Sequence, residues 1–222
     1  VVSTSNRPPS DLYKNGLNRS SFLPFIDFLQ KRCIVENLNS GVDYRLTSSD
    51  ILGEGCQQQV YFIHKQHQDV DQKMDQLFKQ LSHGEQAKPT RLQVDGRKID
   101  IPKSAHGVAR FSFDEICNRP LGSADYIEIA KNFHTVLVDN IPKMTLSEKT
   151  EARRLITFID ALYEYKVKMI CSAHAPPNQL FVPKEGETMG AGEEEIFAFS
   201  RAVSRIMEMQ STEYLESAHI QS

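Results

Sequence analysis

Few residues in this chain have types and spacings that suit chemistry. His64 and His67 stand three apart with Cys56 nearby, a spacing that lets two imidazoles meet on one helix face. Structural zinc sites draw on paired ligands such as CxxC, and Cys33, Cys56, Cys117 and Cys171 form no such pair. The histidines read better as solvent-facing members of a polar, Gln-rich stretch. Two stretches imitate the acidic strand of a nucleotide site. Arg110-Phe111-Ser112-Phe113-Asp114-Glu115 holds an Asp-Glu pair, but its alternation suits a half-exposed strand, and Asp114 suits the cap of the next helix. Val136-Leu137-Val138-Asp139 is apolar enough, yet Asn140 stands where a second carboxylate would polarise water. Ser172-Ala173-His174 lacks the glycine elbow of a hydrolase. Neither a GxxxxGK[ST] phosphate loop nor a GxGxxG turn occurs. Taken locally, each of these residues is better explained by structure than by catalysis.

The whole composition is that of a globular chain. It has 222 residues, 40% hydrophobic and 25% charged, enough for one large domain or two small ones. A net charge of -3 gives no general attraction to nucleic acid. The longest apolar runs are a few residues, which excludes a bilayer-spanning helix. Cysteines this sparse argue against a disulfide framework. Residue 1 is Val, and Val1-Val2 runs straight into Ser3-Thr4-Ser5-Asn6 like the end of a buried strand, so the chain is expected to be a fragment.

The elements fall into three stretches. In residues 1–46, Val1-Val2 ends a strand and Pro8-Pro9 breaks it, because proline can neither donate to a ladder nor continue a helix. Ser10-Asp11 can cap a short helix. Phe22, Phe25, Ile26 and Leu29 recur at helical spacing with Pro24 near the start, and Cys33 to Leu38 reads as a strand. Residues 47–110 read as a small α+β insertion. Val60 to Ile63 is a short strand; Val70, Met74, Leu77, Phe78 and Leu81 make a helical stripe. Asp95-Gly96 is a hairpin signal between alternating strands, and Val108 to Phe113 supplies a third. Residues 111–222 alternate helix and strand. Thr135 to Asp139 and Lys166 to Ser172 are apolar strands joined by an amphipathic helix that starts near Ser147. Its stripe is Ala152, Leu155, Ile156, Ile159, Leu162 and Tyr163, and the three elements predict a βαβ unit in a parallel sheet. A loose acidic loop covers 183–195. A last helix carries Phe199, Val203 and Ile206, and the tail after Tyr214 reads as frayed. No internal repeat stands out.

Several stretches taken together carry a resemblance. Thr4-Ser5-Asn6-Arg7-Pro8-Pro9 and Asp11-Leu12-Tyr13-Lys14-Asn15-Gly16-Leu17-Asn18-Arg19 resemble the sensor-one and arginine-finger region of AAA+ ATPases, and more narrowly of the AFG-type family. Further matches are Ser40-Gly41-Val42-Asp43-Tyr44-Arg45, Arg119-Pro120-Leu121-Gly122-Ser123-Ala124-Asp125-Tyr126, Glu151-Ala152-Arg153-Arg154 and Phe199 to Gln210. They run from end to end of the chain. The family's phosphate loop and acidic magnesium strand lie upstream of sensor one, so the chain looks like the C-terminal portion of such an ATPase.

The resemblance implies an α/β fold, a partial P-loop NTPase (AAA+) parallel sheet with the small insertion at 47–110. It implies ATP and Mg2+ as cofactors, with their main binding elements upstream. Asn6 would orient the attacking water, its amide lying just past a strand end where open parallel sheets place ligands. Arg19 would be the finger, its planar guanidinium stabilising transferring phosphoryl oxygens on a neighbouring subunit and hence within a homo-oligomeric ring. Arg201 and Arg205, four apart on one helix face, are the sensor-two candidates, with Arg201 preferred; Arg153-Arg154 suits a surface or an interface. The resemblance further implies protein substrates, handling or turnover of mitochondrial membrane proteins, and room for peripheral membrane association; division-ring control is its bacterial counterpart. Two other functions compete. One is a non-catalytic interaction module or pseudo-ATPase. The other is a nucleic-acid-binding domain using Lys88, Arg91, Arg97, Lys98 and Lys103, which no aromatic stacking residues accompany.

Overall fold

The computed structural model describes residues 5, 8–12, 19–36, 59–64, 66, 69–182 and 193–220. The expected strand at Val1-Val2, Asn6, residues 37–58 and loop residues 183–192 lie outside them. The chain divides into two compact units, Val1–Asp43 and Tyr44–Ser222.

In the first unit a 3-10 turn, Pro9–Asp11, precedes helix α1, Arg19–Arg32. Pro8 stands at the N-cap of the turn, and the residues after Leu12 that Ser10-Asp11 were expected to cap lie outside the described ones until Arg19. Helix α1 carries Pro24 inside its first half and Lys31 and Arg32 in its last turn, where cations suit the helix dipole. Of its expected apolar stripe, Ile26 is buried, Phe22 and Leu29 are half-buried and Phe25 is exposed. Residues 33–36 are exposed and form no strand, unlike the expectation from Cys33 onward.

The described residues of the second unit are built on one six-stranded sheet. The strands are β1 Tyr61–Ile63, β2 Lys88–Val94, β3 Arg97–Ala105, β4 Val108–Ser112, β5 Thr135–Ile141 and β6 Lys168–Ala173, in the order β1-β6-β5-β4-β3-β2. The first four in that order run parallel; β3 and β2 are antiparallel additions. The division expected at 110/111 is not a division of this sheet. It cuts β4 between Arg110 and Phe111, because β4 pairs with β3 on one side and with β5 on the other. The strands read as an insertion and those read as the α/β segment are continuous.

Among the described residues of this unit the helices are α2 Val70–Leu81, α3 Phe113–Cys117, α4 Ser123–Asn132, α5 Lys149–Glu164, α6 Glu193–Glu208 and α7 Thr212–Glu216. On one sheet face, Val70, Met74 and Phe78 of α2 pack with Val60, Phe62, Val108, Leu137 and Ile170. On the other, α3 to α7 cover the larger core, centred on Phe111, Val136, Val138, Tyr126, Phe158 and Ile159. Strand alternation sends Leu137 to one core and its neighbours Val136 and Val138 to the other. The expected stripes on α2 and α5 face the cores, with Leu77, Leu81 and Tyr163 half-buried and the rest buried, and the βαβ unit β5-α5-β6 is present.

Turns and caps fix the registers. Asp95 and Gly96 have φ of 46° and 82°, the double left-handed geometry of a two-residue hairpin. His106-Gly107 repeats it between β3 and β4 with φ of 49° and 72°. Only glycine fits the second place, since a Cβ there would lie 2.6 Å from the His134 ring. The cap of α3 is Ser112, not Asp114: the Glu115 N–H donates to Ser112 Oγ at 3.3 Å, and the Ser112 N–H donates to the Glu115 carboxylate at 2.7 Å. Thr145 and Glu148 form the same reciprocal pair ahead of α5, which therefore starts after a 3-10 turn at Leu146–Glu148 rather than at Ser147.

The tail is docked, not frayed. Tyr214 is buried in α7, Lys168 Nζ donates to the carbonyls of Tyr214 at 2.8 Å and Ser217 at 2.5 Å, and the Ile220 N–H reaches the Tyr165 carbonyl at 3.0 Å. Burial and the Lys166 charge nearby both lower the Lys168 pKa, while Tyr214 offers its ring face 5.2 Å from Nζ.

Candidate functional site

Open parallel sheets present ligand sites beyond the carboxyl ends of their strands. Here that edge brings together Ser112 at the end of β4, Asp139 and Asn140 near the end of β5, His174 after β6 and His64 after β1. Asn140 breaks the ladder: its φ is 60°, the register shifts between Val138 and Ile141, and its N–H donates to the buried Ser172 Oγ at 2.8 Å. That contact occupies Ser172 structurally, in keeping with the absence of a hydrolase elbow. A crevice of about 460 Å³ opens beside it, lined among others by Ser112, Asp114, Asn118, Asn140, Glu148 and Glu151. Its charged lining is all acidic, the wrong sign for a polyphosphate.

Asp139 is not an open carboxylate. Arg110, buried on β4, donates through Nε to Asp139 at 2.7 Å and through Nη1 to Asp75 of α2 at 2.5 Å. Burial opposes the guanidinium charge, but the hydrogen bonds to Asp139 and Asp75 outweigh it and raise the Arg110 pKa. The cluster lies on the α2 face because Arg110 and Asp139 alternate in phase with Val108 and Leu137. Sequence spacing shows Asp139 as an imitation of an acidic strand; its partner Arg110, twenty-nine positions away and four positions before Asp114, is the residue that spacing does not find.

Among the described residues, His64 joins no metal set. Its ring stacks on His174, centroids 4.7 Å apart and planes 17° from parallel, while His67 and Cys56 lie outside the described residues. Among the described residues no group of three or more His, Cys, Asp or Glu could hold a metal ion.

The sensor-two candidates are brought together by one carboxylate. Arg201 donates to Asp160 of α5 at 3.0 Å, and Arg205 donates to the other oxygen of the same Asp160. Arg205 also lies over the Tyr163 ring at 5.1 Å. The pair clamps α6 onto α5. Arg201 is the more exposed, at 56% of its side chain against 25%. Arg19 belongs to the first unit, where its guanidinium donates to the exposed Ser10 carbonyl at 2.8 Å. Asn6 lies outside the described residues.

Two other matching stretches have structural explanations. Asp125 is buried, accepts from the Gly122 N–H at 2.8 Å and from Arg97 at 2.5 Å, so Arg119 to Tyr126 forms a corner tied to the β2-β3 hairpin. Arg154, expected at a surface or interface, donates to the Cys117 carbonyl at 2.7 Å and closes the end of α3. Of the five basic residues considered for nucleic acid, Arg91 pairs with Asp100 and Arg97 with Asp125.

Mg-ATP has no fitting donor set in Tyr44–Ser222 among the described residues. Its sheet-edge carboxylate is held by Arg110, its crevice is acidic, and Arg201 and Arg205 share Asp160. Among the described residues, no helix is long and apolar enough to cross a membrane.

A model of the AFG1-like ATPase family matches residues 1–218. The chain is 36% identical over 239 residues to lactation elevated protein 1 homolog B of Danio rerio, covering 96% of this chain and 46% of the relative. It is 34% identical over 220 residues to the cell division protein ZapE of Escherichia coli strain K12, covering 99% of this chain and 54% of that protein. The chain thus spans about half the length of these curated relatives. No solved structure matches it.

Proposed function

The chain belongs to the AFG1-like ATPase family, and from that premise we propose that it is the sensing and trans-acting portion of an ATP-hydrolysing AAA+ protein. The observation that carries the proposal is a family match that runs from residue 1 to 218 and contains every stretch on which the resemblance rests. ATP and Mg2+ are then held mainly by residues outside this chain. Asn6 orients the attacking water. Arg19 reaches the ATP of a neighbouring subunit in a homo-oligomeric ring; its present partner, an exposed backbone carbonyl, is one that a phosphoryl oxygen can replace. Arg201, the more exposed of the two arginines on Asp160, is the preferred sensor-two residue. Turnover is spent on protein substrates. The mitochondrial setting follows from the resemblance, with handling or turnover of membrane proteins at a peripheral membrane surface. The bacterial relative is a cell division protein by name, and division-ring control is the alternative setting.

A second reading, a non-catalytic interaction module, is favoured by one observation: Asp139, Arg201 and Arg205 are all spent on contacts within Tyr44–Ser222. Arg19→Ala, placed in the longer ATPase, separates the two. The finger role predicts a loss of ATP turnover of roughly 10³-fold or more with ATP binding kept. Unchanged turnover refutes that role and leaves the module.

A further inference from the structure

A repeat runs through the sequence without the regular period that usually announces one. Val1-Val2-Ser3-Thr4-Ser5-Asn6-Arg7-Pro8-Pro9-Ser10-Asp11-Leu12-Tyr13 can be laid on Met169-Ile170-Cys171-Ser172-Ala173-His174-Ala175-Pro176-Pro177-Asn178-Gln179-Leu180-Phe181 without a gap. The two prolines and the leucine are identical. Elsewhere apolar stands against apolar, small against small and polar against polar, except at Arg7 and Ala175. The described parts fold alike. Pro8 has φ -62° and ψ 156°, and Pro176 has φ -62° and ψ 157°. A 3-10 turn follows each, Pro9–Asp11 and Pro177–Gln179. Its two backbone bonds measure 2.9 and 3.3 Å in both copies, Asp11 to Pro8 and Leu12 to Pro9 in one, Gln179 to Pro176 and Leu180 to Pro177 in the other.

The second copy shows what surrounds such a segment. Its strand, β6, lies between β5 and β1, all parallel. The chain leaves β1 for the far edge of the sheet and comes back through β3, β4 and β5 to β6. The β1/β6 boundary is therefore the point where the strand order reverses, the place where open sheets bind ligands. Protein groups fill it. The His64 and His174 rings stack there, and the Tyr61 hydroxyl donates to the Ala175 carbonyl at 2.7 Å, tying the Pro-Pro turn to β1. One strand further, at the end of β5, Arg110 sits between Asp139 and Asp75.

We propose that the sheet edge within residues 59–182 that carries the second copy of this turn is a closed ligand edge, in which the Arg110 guanidinium takes the place of a divalent cation on Asp139. A guanidinium supplies the positive charge that a carboxylate at a strand end would otherwise take from a metal ion, and supplies it permanently. Asn140 removes the second carboxylate, and the imidazole stack closes the reversal point. The closed edge serves as scaffold and does not take part in hydrolysis. This inference rests on the repeat and the ion cluster and does not need Asn6 or Arg19 to act on ATP.

Thermal unfolding of the 222-residue chain with and without Mn2+ tests it. The wild-type midpoint should not respond to the ion. Arg110→Ala, assayed in chelator, should lose roughly 10 °C by stranding Asp139, and Mn2+ should restore part of the loss. Arg110→Gln keeps the bulk and a donor and covers the case in which the alanine variant does not fold. The response should vanish when Asp139→Asn is added to either variant. Mn2+ stabilisation of the wild type, an absence of rescue in both variants, or rescue that survives Asp139→Asn would overturn the assignment.

Discussion

At the scale of single residues, charge neutralisation decides what the edge of the sheet can do. Arg110 shares its guanidinium between two carboxylates, and Asp160 shares its carboxylate between two guanidinium groups. Each arrangement engages groups that sequence patterns display as unpaired. Asp139 looked like a strand-end acid and Arg201 and Arg205 like a free pair, because a sequence displays charges but not their distant partners. The arginines lie more than forty positions from Asp160, beyond any helical or strand spacing rule. The Asp160 clamp is partly exposed, so its worth is modest. Asp160→Ala should cost about 1 kcal/mol in denaturant unfolding, and a double-mutant cycle with Arg205→Ala should return a coupling of that order. Strict additivity would show that the two side chains are merely neighbours.

At the scale of elements, whatever depends on local pattern was legible. The stripe Val70, Met74, Leu77, Phe78 and Leu81 forms α2, the Asp95-Gly96 turn joins β2 to β3, and two apolar runs with the helix between them give β5-α5-β6. The missed features depend on distant partners or on ambiguous residue types. Ser112 and Asp114 are both good capping residues, and only the reach of Glu115 back to the Ser112 N–H selects the serine. His106-Gly107 is an unusual hairpin turn whose glycine is required by the His134 ring. The Pro-Pro repeat was present in the letters but lacks a period and became visible through its two matching turns. The tail looked frayed because its anchors, Lys168 and Tyr165, lie on the far side of α6 in sequence. Tyr214→Ala should therefore cost about 3–5 kcal/mol, the range for emptying a buried aromatic site. A change below about 0.5 kcal/mol, typical of surface positions, would return the tail to the frayed state.

At the scale of the whole molecule, family membership and local chemistry pull in different directions, and both are informative. The chain belongs to an ATPase family, while the described residues of its larger unit offer an acidic crevice, a neutralised carboxylate and a stacked imidazole pair. The two agree if the phosphates and magnesium are held elsewhere in a longer protein and this chain contributes Asn6 and Arg19 to the site, with residues 59–182 as scaffold. The fold class followed from the alternation of helix and strand, whereas the continuity of the sheet across 110/111 required the pairing of β4 with both β3 and β5. Calorimetric titration of Mg-ATP into the 222-residue chain tests this division of labour most directly. Negligible heat of binding is the predicted result; a tight, saturable site would contradict it.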